Sequence, residues 1–497
     1  MHLAFALFAV IPVLPQSDSK GAEPPFRTLD LNVGDVKNVE LSDGSKASVK
    51  LLEVKETRDG LRSAIRKAQV KVEVNGKTIT LVSANYRLPV TIAGVQIDCP
   101  ITQGYYRNHD TFEDSWGLEK HARLRLWPAD SPWLAPGIFV YPIKQRWFAG
   151  PTQMGNEPSF VDGGDAPSSR KIYYHSGLDI GGCEGLIDVL AATDGLVISA
   201  GGKTLSDYPD LPYYTQNPHD GIYVLDSQGW LYRYVHLKSI DSAIHPGDRV
   251  KKGQKLGVLG KEGGSGGWSH LHFDIKAKQP SGKWGIQEGY AFLWEAYQRE
   301  YRPDLLAVAR PHHLASVGEN VVLDGSRSWT ATGKIVSYEW TFSDGKTATG
   351  PLVQRTYDRA GSYSEILKIV DSQGRVDYDF AVVQILDKDT DKLPPTIHAS
   401  HAPTFDIHPG DPVTFKVRTF RTEAGKETWN FGDGTPIVEV RSDGNTKPLD
   451  PNGYAVTIHR FSHPGHYIVR VERTGHSGAR AVGHLQVRVV KKAPSKD

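Results

Sequence analysis

Two stretches far apart in this chain repeat one another. WTFSDG at 340–345 returns as WNFGDG at 429–434, and YDRAGSY at 357–363 returns as FSHPGHY at 461–467. Each copy of the second motif has an aromatic, three residues, Gly, one residue and Tyr. A repeat that keeps turn glycines and aromatic anchors predicts one β module present twice. KDTDKLPP at 388–395 reads as the linker between the copies.

The rest of the chain follows the same style. With 497 residues, three or four domains are expected, and 50 Gly and 31 Pro among many Val, Thr and Tyr favour short strands over long helices. Residues 27–95 alternate apolar and polar residues (KASVKLLEV, KVEVNGKTITLVS, YRLPVTIAGVQI), with a hairpin signal at VNGK, and predict a small β domain. Residues 96–135, with Trp116, Trp127 and Trp133, read as an aromatic linker. From 136 to about 280 lie further strand-like runs (GLVISAGG, GIYVLD, WLYRYVHL, HLHFDIKAK), interrupted by a polar, proline-bearing loop over about 203–220. IQEGYAFLWEAYQREY is the one convincing helix, with Ile286, Tyr290, Leu293 and Tyr297 at helical spacing, and closes this part at 304. The fold class expected is therefore mainly β.

Other features bound function. The formal net charge is +1 with no long basic run, which gives nucleic-acid binding no electrostatic footprint. Residues Leu3 to Leu14 are apolar, too short to span a bilayer, and read with residues 1–22 as a signal peptide whose cleavage point is not marked. No other apolar run is long enough for a membrane helix, so the mature chain is expected to be exported, periplasmic or extracellular, with no membrane span. Two cysteines, Cys99 and Cys183, exclude a Cys-x-x-Cys metal cluster. In an oxidising compartment they are expected to pair with each other; the alternative is two unrelated buried thiols.

GGWSHLHFDI at 266–275 carries the chemistry. Strand alternation puts His270 and His272 on one face. A hydrolytic zinc site needs three N, O or S ligands and one open position, so this pair requires partners elsewhere. HSGLDIGG at 175–182 offers His175 and Asp179. With 19 His, chance alone supplies such spacings, and the weight lies in an ordered series: HSGLDI, VLAATDGLVISAG, YRYVHLKSI, HPGDRVKKGQKLGVLG, GGSGGWSHLHFDI.

That series resembles the lysostaphin/LytM-type zinc metallopeptidases, the peptidoglycan endopeptidase family, over about residues 136–280. The resemblance implies that His175, Asp179 and His272 hold one zinc ion per chain, that His236 and His270 are the catalytic histidines, and that the substrate is a peptide, in peptidoglycan or elsewhere outside the cell. IGGCEG after Asp179 is more glycine-rich than the family usually has there, and Cys183 in it reads as a disulfide partner or bystander rather than a ligand. Asp274 shares the face of His270 and His272. It reads as a solvated strand carboxylate, with a role behind the metal ligands as the less favoured alternative.

The repeated module resembles polycystic-kidney-disease (PKD) domains, immunoglobulin-like β-sandwiches, over about 305–388 and 396–491. This implies that Trp340 and Trp429 are core residues. It also implies that the modules act as spacers or weak binders of a polymer or protein. Two other readings stay open: a secreted zinc protease acting on proteins, and an inactive member that binds cell wall or activates a partner. The N-terminal β domain, lying directly before the peptidase part, is a candidate inhibitory segment.

Overall fold

The computed structural model describes residues 23–60, 63–107, 115–153, 172, 174–206, 219–387, 393–423, 425–475 and 478–492. The expected signal peptide, most of the loop at 203–220 and the start of the expected 388–395 linker lie outside the described residues. The chain is mainly β, as expected, with half of it in strands.

At the N-terminal end, strands Val36–Glu40, Lys46–Arg58, Ile65–Val74 and Lys77–Ser83 form a meander. Along Ile65–Val74 the residues Ala68, Val70, Val72 and Val74 are buried in alternation with polar ones, the signature of a strand with one face on a core. The VNGK signal is a tight hairpin: Asn75 and Gly76 both have positive φ, 47° and 77°, as a two-residue turn of the favoured hand requires. A second sheet, Arg27–Leu31, Ala122–Pro128, Val95–Thr102 and Val90–Ile92, covers the meander.

This corrects the reading of 96–135 as a linker. Ala122–Pro128 sits inside that second sheet, between Arg27–Leu31 and Val95–Thr102. Its sequence, ARLRLWP, hides two arginines in the strand. Arg123 is buried against Asp30, with Nε and Nη2 donating to the carboxylate at 2.8 and 2.9 Å. Arg125 is likewise paired with Asp98 and donates to the Glu288 carbonyl oxygen. Paired charges let a strand with an apparently polar face become buried.

The next sheet runs Lys203–Thr204, Gly195–Ala200, Ile222–Leu225, Leu231–Val235, His270–Lys278, Leu178–Gly181 and Thr152–Gln153. The expected helix forms as Tyr290–Tyr301 and buries Tyr290, Phe292, Leu293, Trp294 and Tyr297. Ile286 belongs instead to the preceding strand Trp284–Ile286. Glu295 on this helix accepts hydrogen bonds from the backbone N–H groups of Trp133 and Leu134 and so ties down the incoming chain.

The repeat is two β-sandwiches with Trp340 and Trp429 fully buried. The recurring residues do the same work in each. Asp344 and Asp433 accept from the backbone N–H two residues ahead, both at 3.1 Å, and Gly345 and Gly434 take the positive φ the turn needs. The rings of Tyr357 and Tyr363 meet at 4.6 Å, tilted by 41°, and those of Phe461 and Tyr467 stack at 4.3 Å. Tyr363 and Tyr467 each donate to the carbonyl oxygen four residues back, at 2.8 Å. The two sandwiches are not beads on a linker: Gly361–Asp371 pairs in parallel with Arg480–Val489, joining them in one sheet.

Both cysteines are free and buried, which overturns the expected disulfide. Cys99 lies in the N-terminal core and Cys183 in the core that holds the long helix. Burial pushes the two thiols up to about 12 and about 11.

Candidate active site

Strand Leu178–Gly181 runs antiparallel to His270–Lys278, with Asp179 opposite His272 and Gly181 opposite His270. Leu271, Phe273 and Ile275 enter the hydrophobic core, while His270, His272 and Asp274 line the other face. The approach of the HSGLDI segment depends on Gly177. Its φ is +97°, and a Cβ there would lie 2.7 Å from the Asp274 Cβ and 2.8 Å from the Phe273 carbonyl oxygen. Only glycine lets the chain cross the strand this closely.

Three of the expected residues converge. His175 Nε2 is 3.0 Å from Asp179 Oδ1 and 3.0 Å from His272 Nδ1, and His272 Nδ1 is 2.8 Å from Asp179 Oδ1. Ligand atoms at about 2.0–2.1 Å from a tetrahedral ion stand about 3.3 Å apart, so this buried donor set has the size and chemistry of a metal site. Burial alone would raise the Asp179 carboxyl, but His175, His270 and His272 hold it well below the usual carboxylate range. Among the described residues this is the one cluster of His, Cys, Asp or Glu with such spacing.

The other two histidines flank it. His270 Nδ1 donates to the Trp268 carbonyl oxygen at 3.0 Å, and its Nε2 lies 3.5 Å from Asp179 Oδ2. The His236 ring is 4.6 Å from that of His270. His236 directly follows strand Leu231–Val235 and takes a left-handed φ of 69°. Both partners of His236 Nδ1 are acceptors: the Glu262 carbonyl oxygen at 2.7 Å and Asp220 Oδ2 at 3.1 Å. Each flanking ring therefore carries its proton on Nδ1 and keeps Nε2 as the exchangeable position.

Two carboxylates complete the arrangement. Asp274 is no solvated strand residue: it is buried, and Oδ2 accepts from His272 Nε2 at 3.0 Å and from Arg233 at 3.3 Å. The less favoured sequence reading is the one the structure supports, because this face of the strand is covered. Asp220 was missed. Its Oδ2 receives both the backbone N–H of His236, at 3.0 Å, and the ring Nδ1–H. Nothing local in NPHDG marked it, since the contact spans sixteen residues.

Residues 173–282 match the model of peptidase family M23. That M23 segment contains all seven side chains just described. Residues 304–385 and 397–484 match PKD domain models, which agrees with the two sandwiches. A microbial collagenase of Vibrio alginolyticus is 37% identical over 91 residues, 17% of this chain and 11% of that protein, so the chain spans only a small part of that relative. Among solved structures, Csd3 of Helicobacter pylori is 13% identical, with 54% of this chain and 82% of that one covered, at a TM-score of 0.21. The PKD domain from KIAA 1837 is 22% identical, with 17% of this chain and 88% of that one covered, at a TM-score of 0.15. Scores this low place no constraint on how the M23 segment and its neighbours are arranged.

The neighbours reach the site. The Tyr174 hydroxyl, next to His175, accepts from the Ile65 backbone N–H at 2.6 Å, and its ring meets Tyr105 edge-on. Both partners belong to the N-terminal part. Lys416 of the second PKD domain donates to the Glu184 carbonyl oxygen at 2.8 Å. No helix among the described residues is long and apolar enough to cross a membrane.

Proposed function

We propose that this chain is an exported zinc metalloendopeptidase that cleaves peptide bonds in peptidoglycan cross-links. The observation that carries the reading is the convergence of His175, Asp179 and His272 on one point, with His236 and His270 beside it. The M23 match supports the peptidase class. The resemblance to lysostaphin/LytM-type enzymes supports a cell-wall peptide as substrate.

His175 Nε2, Asp179 Oδ1 and His272 Nδ1 would hold one zinc ion. When bound, zinc supplies Lewis acidity, polarising a peptide carbonyl and lowering the pKa of water towards about 7. The chain's own groups supply the proton chemistry. Burial holds His270 well below the usual histidine range; Asp179 opposes this, and His236 and His272 reinforce it. A neutral His270 offers Nε2 as acceptor for a proton of the attacking water and as donor to the departing amine. Asp220 and the Glu262 carbonyl fix the His236 ring so that its Nε2 can serve the same transfer or stabilise the oxyanion.

A second reading, a secreted protease acting on proteins, draws on the short similarity to a collagenase and on the PKD domains. A binding-only role is disfavoured by the retention of the whole constellation. Metal analysis and wall digestion on one purified sample, with His272→Ala beside it, test the proposal. One zinc per chain and released muropeptides from the natural chain, with neither from the variant, support it. Zinc without wall cleavage moves the substrate to protein, and absence of zinc removes the enzyme reading.

A further inference from the structure

We infer that the second PKD domain positions His270, by holding the glycine-rich turn that carries Trp268. The inference rests on the hydrolase reading above and gives that site a component from outside the M23 segment.

Trp268 touches His270 twice. Its carbonyl oxygen receives the Nδ1–H, and its ring stacks on the imidazole at 3.9 Å with 19° between planes. The orientation of His270 is therefore the orientation of Trp268. Within the turn before it, Ser265 Oγ accepts from the Gly267 N–H at 3.1 Å and donates to the Lys261 carbonyl oxygen, yet Gly263, Gly266 and Gly267 all have positive φ. Such backbone has many alternative conformations unless other groups fix it.

Further groups come from the second sandwich. The Gly266 carbonyl oxygen accepts from Asn445 Nδ2 at 3.0 Å. The Gly267 carbonyl oxygen accepts from Arg418 Nη1 at 2.6 Å. The Ser269 N–H donates to the Tyr454 hydroxyl at 2.7 Å. Three backbone groups within four residues are thus taken by three side chains of one remote module. The fit leaves no room: a Cβ on Gly267 would collide with Asn445 and Pro448.

The holding groups are themselves rigid. Arg418 is fully buried, gripped by Asp443 through Nε at 2.8 Å and Nη2 at 2.5 Å, and donates further to the carbonyl oxygens of Lys447 and Pro448. The Tyr454 hydroxyl, already accepting from Ser269, donates to His398 Nδ1 at 2.8 Å. The His398 ring in turn meets Trp268 edge-on at 5.5 Å. Arg418, Asn445 and Tyr454 are positioning residues. They act on the reaction only through residues 266–270, and a preorganised ring is worth much in catalysis.

Tyr454→Phe tests this while keeping the ring. The control is Tyr467→Phe, which removes a comparable hydrogen bond of the same module far from the site. Amide hydrogen exchange over 266–271 is expected to accelerate roughly tenfold in Tyr454→Phe and to stay unchanged in Tyr467→Phe. Turnover is expected to fall about 10- to 100-fold in Tyr454→Phe alone, with KM within about twofold and metal content unaltered. Asn445→Ala, at a partly exposed position, should repeat the pattern more weakly. Unchanged exchange overturns the inference, as does a loosened turn with undiminished turnover. If the natural chain cleaves neither wall nor peptide, the hydrolase reading fails separately. The exchange result then decides alone, because it needs no substrate.

Discussion

His272 Nε2 lies 3.0 Å from Asp274 Oδ2, one strand repeat away on the same face. This leaves Nδ1, the atom that faces Asp179 and His175, as the lone-pair nitrogen. The carboxylate therefore selects the tautomer able to bind a metal. Asp274→Asn is expected to weaken zinc binding about 10- to 100-fold while the chain stays folded, a scale usual for such supporting groups. Chelator competition monitored by metal content checks it.

The proposed function divides the site by role. His175→Ala, Asp179→Ala and His272→Ala should each abolish both metal retention and cleavage. His236→Ala and His270→Ala should keep about one zinc per chain and lose on the order of 10²–10⁴ in turnover. Metal content and rates measured side by side would show whether the five residues divide three and two.

Asp220 acts through His236. Removing its carboxylate takes away one of the two acceptors at the ring Nδ1 and the acceptor of the backbone N–H in the left-handed turn. Asp220→Ala should lower turnover by on the order of 10² at unchanged zinc content, since small displacements of a proton-transfer group are expensive. A rate loss matched by zinc loss would assign Asp220 to the metal instead.

Acid should loosen the PKD side of the molecule. Burial depresses His398 and His401 to about 3 in the folded chain, against about 6.5 when unfolded. Between those values the unfolded chain binds protons that the folded chain does not. Stability is therefore fully present above about 6.5 and declines as pH falls towards 3, by about 1.4 kcal/mol per pH unit for each such histidine. Melting temperature followed from pH 7 to pH 4 should fall, and His401→Phe should flatten the slope.

The N-terminal part is bound into the peptidase core rather than laid over it. Phe26 packs on Trp127, Trp230 and Phe292 with ring separations of 5.1, 5.9 and 5.8 Å. A chain shortened to begin at 135 loses Phe26, Tyr86 and Trp127 from one continuous cluster. It should melt lower or aggregate, given about 3–5 kcal/mol for a single large aromatic removed from a core. Calorimetry on the shortened and full chains checks this.

Much of the site was legible because its parts are local patterns. SHLHFDI places its histidines by strand alternation, HSGLDI puts His175 and Asp179 four residues apart, and the ordered series tied the two together. The sandwiches were legible for the same reason: Asp344 and Asp433 build their turns within two residues. What stayed hidden was written in distant contacts. Ala122–Pro128 looked like linker because the partners that neutralise Arg123 and Arg125, Asp30 and Asp98, come from other strands. Asp220 and Tyr454 gave no signal, the latter meeting Ser269 across 185 positions.

That last span has a consequence in time. During synthesis His175, Asp179, His236, His270 and His272 all emerge from the ribosome well before Arg418, Asn445 and Tyr454. Until those three arrive, the glycine turn ahead of His270 lacks its clamps. A peptidase assembled in this order would carry its metal ligands early and reach full working order only when its second PKD domain has folded, a built-in delay between making the blade and setting its edge.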